Sequence, residues 1–348
     1  MTPPLSAFLA ASLMTLALPS WAQTYRVTDL GAASGESVSK GYSLNDIGQA
    51  AGSSSNPSGA VATLFGSGDA IRLGTLEPGD VSIATGINKS AEVVGYEPVY
   101  SSGGSGISHA FLYSNGALRD IDSPALFPGG TSAAAINGTG TVVGQGNLSS
   151  SSFHAFVYSG GQMLDIGPAG AYQASAVAIN DAGEIIGNAF FTSGGGGAFT
   201  YSNGKFTYLT APAGTTATAV AISSSGEIAG TIYFNNGSPP HAALYSNGRW
   251  SDLGGVSGAT ATHGTGINAT AQVVATAFYP TVRYHPFIPG KHVAQILRNG
   301  ALVNLNTLIP SGSGYVMTDA IAINDSGEIL CNATNSTNAV CAVLLTPN

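Results

Sequence analysis

The sequence predicts an all-β fold, a seven-bladed β-propeller of four-stranded blades, and three observations predict it. First, one phrase recurs seven times: SLNDIGQAAG (43–52), GINKSAEVVG (86–95), AINGTGTVVG (135–144), AINDAGEIIG (178–187), AISSSGEIAG (221–230), GINATAQVVA (266–275) and AINDSGEILC (322–331). Second, its anchors Asn45, Asn88, Asn137, Asn180, Ser223, Asn268 and Asn324 follow in steps of 43, 49, 43, 43, 45 and 56 residues. A period of about 40–45 residues carrying four short strands is that of a propeller blade. Third, the last copy is one strand short, and a matching strand stands at the other end of the chain.

Residues 1–22 precede the first repeat. Leu5 to Leu18 is an uncharged apolar run, followed by Pro19 and the small-x-small step Ser20-Trp21-Ala22. This is the pattern of a secretory signal peptide cut after Ala22. The run is too short to span a bilayer, and no later segment approaches about 20 apolar residues. Residues 23–348 are therefore expected to form a single propeller domain, secreted or periplasmic, with no membrane insertion. Only 8% of the residues are charged, against about 25% in ordinary domains, so Ser, Thr, Asn and Gly must cover the surface. The net charge is −8 and the basic residues, from Arg26 to Arg298, do not cluster. That pattern excludes a nucleic-acid footprint.

Within each unit the order is an alternating apolar run, a tight turn, a second apolar run and a variable loop. A HAFLY-like strand, an SNG turn and a short segment ending in DLG complete it. Asn, Asp, Ser and Gly fill both tight turns because they tolerate positive φ and bond to their own backbone. Ala, Val, Ile, Phe and Tyr fill the runs between, without helical spacing. Each unit is thus expected to be a four-stranded meander. The seventh unit runs AIAIN (320–324), GEILC (327–331) and CAVLL (341–345) and stops without its DLG strand, whereas TYRVTDLG (24–31) aligns with QMLDIG (162–167) and RWSDLG (249–254). An N-terminal strand completing the last blade would shut the ring and remove two exposed sheet edges.

The HAF phrase at His109-Ala110-Phe111 and His154-Ala155-Phe156, with IN-x-x-G-x-VVG and DLG, resembles the bacterial extracellular repeat family named for the HAF tripeptide. The resemblance covers essentially the whole of residues 23–348. The fifth unit has His241-Ala242-Ala243, and the others place Val61, Gly197, Val293 and Cys341 at the histidine position. The resemblance implies an exported, repeat-built protein without an established activity.

Three copies set a histidine eleven residues before an aspartate: His109 and Asp120, His154 and Asp165, His241 and Asp252. The same position on adjacent sheets is about 10 Å apart, so the three imidazoles are not expected to share a metal. Hydrogen bonding within each unit is expected instead, with each DLG aspartate accepting from loop N–H groups. The Asn-Asp pairs lack the run of oxygen ligands of a calcium loop. No nucleophile elbow, P-loop, HExxH or dinucleotide fingerprint is present, and no catalytic residue, metal or cofactor is predicted. Cys331 and Cys341 flank the loop between the second and third strands of the last unit and are expected to face each other as a disulfide.

The turns joining strands one–two and three–four are uniform, while the other connections vary and emerge on the opposite face. Binding residues favour variable loops on a rigid scaffold. The sixth unit is the longest and carries AFYPTVRYHPFIPGKH (277–292). Phe278, Tyr279, Arg283, Tyr284, His285 and Phe287, with Lys291 and His292, gather rings and cations suited to stacking on sugars or anchoring a protein. The expected function is a monomeric, non-catalytic interaction module for a glycan or an extracellular protein. The alternatives are a polysaccharide hydrolase or lyase with an unrecognised loop-face site, a structural surface protein with no discrete ligand, and a loop that merely plugs the channel.

Overall fold

The computed structural model describes residues 24–66, 68–79, 81–100, 106–281 and 290–348; the expected signal peptide lies outside them. Strand β1 (Tyr25–Asp29) is followed by β2–β5 (Val38–Leu44, Ala50–Asn56, Gly59–Phe65, Ala70–Gly74) and β6–β9 (Ile83–Ile87, Val93–Tyr100, Gly106–Ser114, Ala117–Asp120). Next come β10–β13 (Thr131–Ile136, Val142–Asn147, Phe153–Ser159, Gln162–Asp165) and β14–β17 (Ala171–Ile179, Ile185–Phe191, Gly196–Ser202, Lys205–Tyr208). They lead into β18–β21 (Thr215–Ile222, Ile228–Phe234, His241–Ser246, Arg249–Asp252) and β22–β25 (Ala261–Ile267, Val273–Tyr279, Lys291–Arg298, Ala301–Asn304). A 3-10 turn, Leu305–Thr307, precedes β26–β28 (Tyr315–Ile323, Ile329–Asn335, Val340–Pro347).

Each group is an antiparallel meander in chain order. One parallel pair, Phe153 with Gln173, joins β10–β13 to β14–β17 as an eight-stranded sheet. The last three strands take β1 as their fourth, antiparallel to β28 from Tyr25 opposite Pro347 to Asp29 opposite Val343. The N-terminal strand therefore lies in the sheet that the sequence left one strand short.

Local chemistry explains the recurring phrases. In the SNG turns Asn115, Asn203 and Asn247, and in the matching RNG turn Asn299, have φ near +50°, each followed by a glycine with φ near +78°, the pairing that two-residue hairpins require. The glycine ending VVG answers to a different constraint. The inner strand of each meander carries a bulge, as between Ala133 and Ala135, opposite Gly144. A Cβ on Gly144 would strike the Ser132 carbonyl and the Phe156 ring, and one on Gly95 would strike the Ile83 carbonyl and the Phe111 ring. The phenylalanine of HAF is fully buried over that bare backbone.

Neighbouring meanders are tied by packing and by two sets of hydrogen bonds. In the first set each anchor amide donates to the next anchor's carbonyl: Asn45 to Asn88, Asn88 to Asn137, Asn137 to Asn180, Asn180 to Ser223, Asn268 to Asn324 and Asn324 to Asn45, at 3.0–3.3 Å. In the second, second-strand side chains clasp the next inner strand, as Asn188 does with both backbone groups of Ala219, and Asn332 with those of Gly41. The β26–β28 group thus sits against β2–β5, and Leu330, Ala342 and Leu344 share a buried cluster with Ala50 and Phe65.

The cysteines correct the expectation from sequence. Cys331 and Cys341 are both buried free thiols. Cys331 lies opposite Val343, and Cys341 opposite Ala333. The two are diagonal neighbours, about 7–8 Å apart between Cα atoms, beyond the 4.4–6.8 Å span typical of a disulfide. Register is the physical reason: the VVG glycine faces the phenylalanine of HAF, as Gly144 faces Phe156 and Gly95 faces Phe111, and not its histidine.

Candidate functional site

The two faces of the molecule differ as the loop lengths suggest. On the tight-turn face the anchors surround a cavity of about 230 Å³, rimmed by Asp46, Lys89, Gly138, Asp181, Ser224 and Asp325. Its carboxylates are already engaged. Asp181 accepts from the Gly138 N–H and from Lys89, which together hold it below the usual carboxylate range. Asp325 accepts from the Ala269 N–H, and Asp46 from the Asp325 N–H. These groups complete the turns and leave little chemistry free.

The variable-loop face carries the rings. Phe278 and Tyr279 end β23, and Lys291 and His292 begin β24 directly opposite them. The Phe278 and His292 rings are 4.4 Å apart between centroids, and the Lys291 ammonium lies 5.2 Å from the Tyr279 ring centre. On its other side Phe278 meets His263 edge-on at 5.2 Å, and His263 meets Tyr233 at 6.1 Å. Four rings, Tyr233, His263, Phe278 and His292, thus form one row from β19 to β24. At its end His292 Nδ1 lies 2.9 Å from Asp319 Oδ1. Tyr233 and His292 are exposed and Phe278 and His263 half-buried. His263, beside the Thr231 hydroxyl at 3.2 Å, has its pKa lowered by burial.

Of the residues singled out from sequence, Phe278 and Tyr279 are in this row or beside it. Arg283, Tyr284, His285 and Phe287 lie outside the described residues. Tyr233, His263 and Asp319 were not legible as site residues, because they belong to three meanders and only the fold brings them together. One signal was available. The inner-strand position held by Ser132, Ser175 and Thr218 in the third to fifth repeats is His263 in the sixth and Asp319 in the seventh.

The repeated His–Asp pairs form inside single meanders. His154 Nδ1 lies 3.0 Å from Asp165 and its Nε2 3.2 Å from the Ala171 carbonyl; His241 Nδ1 lies 3.0 Å from Asp252. Asp29, Asp120, Asp165 and Asp252 each accept the backbone N–H two residues ahead, at 2.7–2.8 Å. His109 differs, for it faces two carboxylates, Asp120 at 3.2 Å and Asp122 at 3.1 Å. Burial pushes the Asp122 carboxyl above its ordinary range, against the Thr131 hydroxyl and Ala110 N–H that draw it down.

No known family profile matches the sequence, and no curated protein does. Solved structures do match in shape. The β-propeller domain of the Trilobed protease from Pyrococcus furiosus, described as having an open velcro topology, superposes with a TM-score of 0.54 at 9% identity, over 87% of this chain and 94% of that one. A prolyl endopeptidase gives 0.56 at 9% identity over 93% of this chain, and a xyloglucanase from Xanthomonas campestris 0.54 at 10% over 91%. The chain spans about half the length of those two, 50% and 55%. At such identities the likeness establishes the β-propeller fold. Among the described residues no helix is long and apolar enough to cross a membrane.

Proposed function

We propose that this chain is an exported, closed seven-bladed propeller of the HAF-repeat kind that binds carbohydrate on its variable-loop face without transforming it. The row Tyr233–His263–Phe278–His292 is the observation that carries the reading. Aromatic faces offer apolar area with a fixed geometry, suited to the C–H faces of sugar rings, and the imidazoles, Asp319 and Thr231 supply hydrogen bonds at its edges. Sparse charge across the molecule favours a neutral polymer over a charged one. Ring closure is supported by the β1–β28 pairing, by the Asn324-to-Asn45 bond and by the contact of β27 with β2.

The test is a glycan array followed by calorimetry on residues 23–348. Phe278→Ala and Tyr233→Ala are each expected to weaken binding about two- to tenfold, the worth of roughly 0.5–1.5 kcal/mol per ring contact. Tyr208→Ala, an exposed ring elsewhere, is expected to leave it unchanged, and Tyr284→Ala and Phe287→Ala probe the connecting segment. Unaltered affinity in a Tyr233/Phe278 double variant would refute the site, and capture of a protein in place of a glycan would redirect it. A hydrolase or lyase reading draws on the His292–Asp319 pair beside the same rings. Release of reducing ends, abolished by Asp319→Asn, would establish that reading instead.

A further inference from the structure

We propose that His109, Asp120 and Asp122 form a binding site for one divalent transition ion of the Zn²⁺ class, at the variable-loop face between the β6–β9 and β10–β13 meanders. The ligand atoms are His109 Nδ1 and one oxygen from each carboxylate, all within 4.8 Å of one another. In the sister pairs the residue two after the DLG aspartate is Gly167 or Gly254, and the histidine meets a single carboxylate. Among the three His–Asp copies this one alone replaces that glycine, by Asp122, whose side chain is 6% exposed.

The orientation of the carboxylates carries the argument. Asp120 Oδ1 is taken by the Asp122 N–H, and Asp122 Oδ1 by the Ala110 N–H and the Thr131 hydroxyl. Both Oδ2 atoms are left aimed at the same imidazole nitrogen, 3.2 and 3.1 Å away. Nδ1 carries at most one proton, which lies along one of these lines but not both. A cation satisfies both at once. Tetrahedral bonds of about 2.0–2.2 Å set ligand atoms roughly 3.3–3.6 Å apart, close to the two nitrogen–oxygen distances of 3.2 and 3.1 Å. The fixed Oδ1 partners act as the outer hydrogen bonds that hold metal-binding carboxylates in place.

Charge points the same way. Two carboxylates meet one imidazole, and the buried Glu97 stands opposite His109 in the ladder, its own oxygens occupied by the Leu76 and Glu77 N–H groups. A mixed nitrogen and oxygen donor set suits zinc and its neighbours better than calcium or magnesium. His109 is 32% and Asp120 48% exposed, so the remaining coordination position opens to solvent and accepts water or an oxygen ligand. The site lies in a different part of the ring from the aromatic row, and neither proposal depends on the other.

Untagged protein stripped with EDTA is titrated with Zn²⁺ by calorimetry and with Co²⁺ by visible absorption, with circular dichroism to confirm folding. One ion per chain is expected, with a Co²⁺ d–d band and a Zn²⁺-dependent rise in the melting temperature. Asp122→Gly, which restores the residue of the sister repeats, Asp120→Asn and His109→Ala should each weaken Zn²⁺ at least about tenfold, while His154→Ala leaves it unchanged. Absence of stoichiometric binding by the wild type, equal affinity in Asp122→Gly, or an equal loss in His154→Ala overturns the proposal.

Discussion

Asp29 shows how one position is reused within the repeat. Its counterparts Asp120, Asp165 and Asp252 face histidines, but in the last sheet the histidine position is Cys341. The carboxylate instead accepts the Tyr315 hydroxyl from β26 at 2.7 Å. That bond to an anion, with burial and nearby negative charge adding to it, raises the tyrosine pKa to about 12. A folded-state pKa above the unfolded value of 10 means the bond's contribution to stability is complete below pH 10 and is lost as pH climbs towards 12. Tyrosinate absorbance, read as the difference from Tyr315→Phe, should show that late titration, and Asp29→Asn should move it back towards 10. The two thiols behave in the opposite spirit to a site: burial raises both, Cys331 the more strongly, which makes them inert packing groups.

At the scale of strands and turns, much was legible because the chemistry is local. Asn-Gly at Asn115-Gly116 and Asn247-Gly248 dictates a positive-φ turn wherever it falls, and the alternation on either side dictates strands. Legibility ended where a contact depends on register or on a neighbouring sheet. The pairing of β27 with β28 sets the glycine position opposite the phenylalanine position of HAF, so that Cys331 faces Val343 and Cys341 faces Ala333, a register that the repeated phrases do not spell out. The ring row is not legible for a related reason, since Tyr233 and His263 sit in separate repeats. Strand β1 is legible because the seventh repeat lacks its fourth strand, and removing it has two expected consequences. Tyr25 is 1% and Leu30 5% exposed, and each such side chain contributes about 1.5–3 kcal/mol by burial. Deleting residues 24–31 should lower the melting temperature and, by baring the edge of β28, shift the protein to larger species on size exclusion. A synthetic peptide TYRVTDLG should reverse both; an unchanged monomer with an unchanged melt would contradict the role assigned to this strand.

For the whole molecule, the succession of anchor amides is the feature that no single repeat contains. Each amide donates to the anchor of the neighbouring meander, and the run is interrupted at Ser223, whose hydroxyl turns back to Glu227 instead of onward to Asn268. Ser223 is 2% exposed in the setting its neighbours use for asparagine. Ser223→Asn should supply the missing donor and raise stability by about 1 kcal/mol, the usual net worth of a buried hydrogen bond. Urea denaturation measures it, with Asn137→Ser as the converse.

The meeting of Asn348 with Thr24, backbone to backbone at 3.0 Å and side chain to side chain at 2.7 Å, also fixes a timetable. Tyr25 leaves the ribosome 322 residues ahead of its partner Pro347. At about 5–20 residues per second, the opening segment waits roughly 15–60 s for the stretch it must embrace. Until then the nascent polypeptide holds an adhesive, unmatched border, so what guards that interval matters as much as the finished architecture. A circular permutant joined across these adjoining ends and cut elsewhere would keep every contact while abolishing the wait.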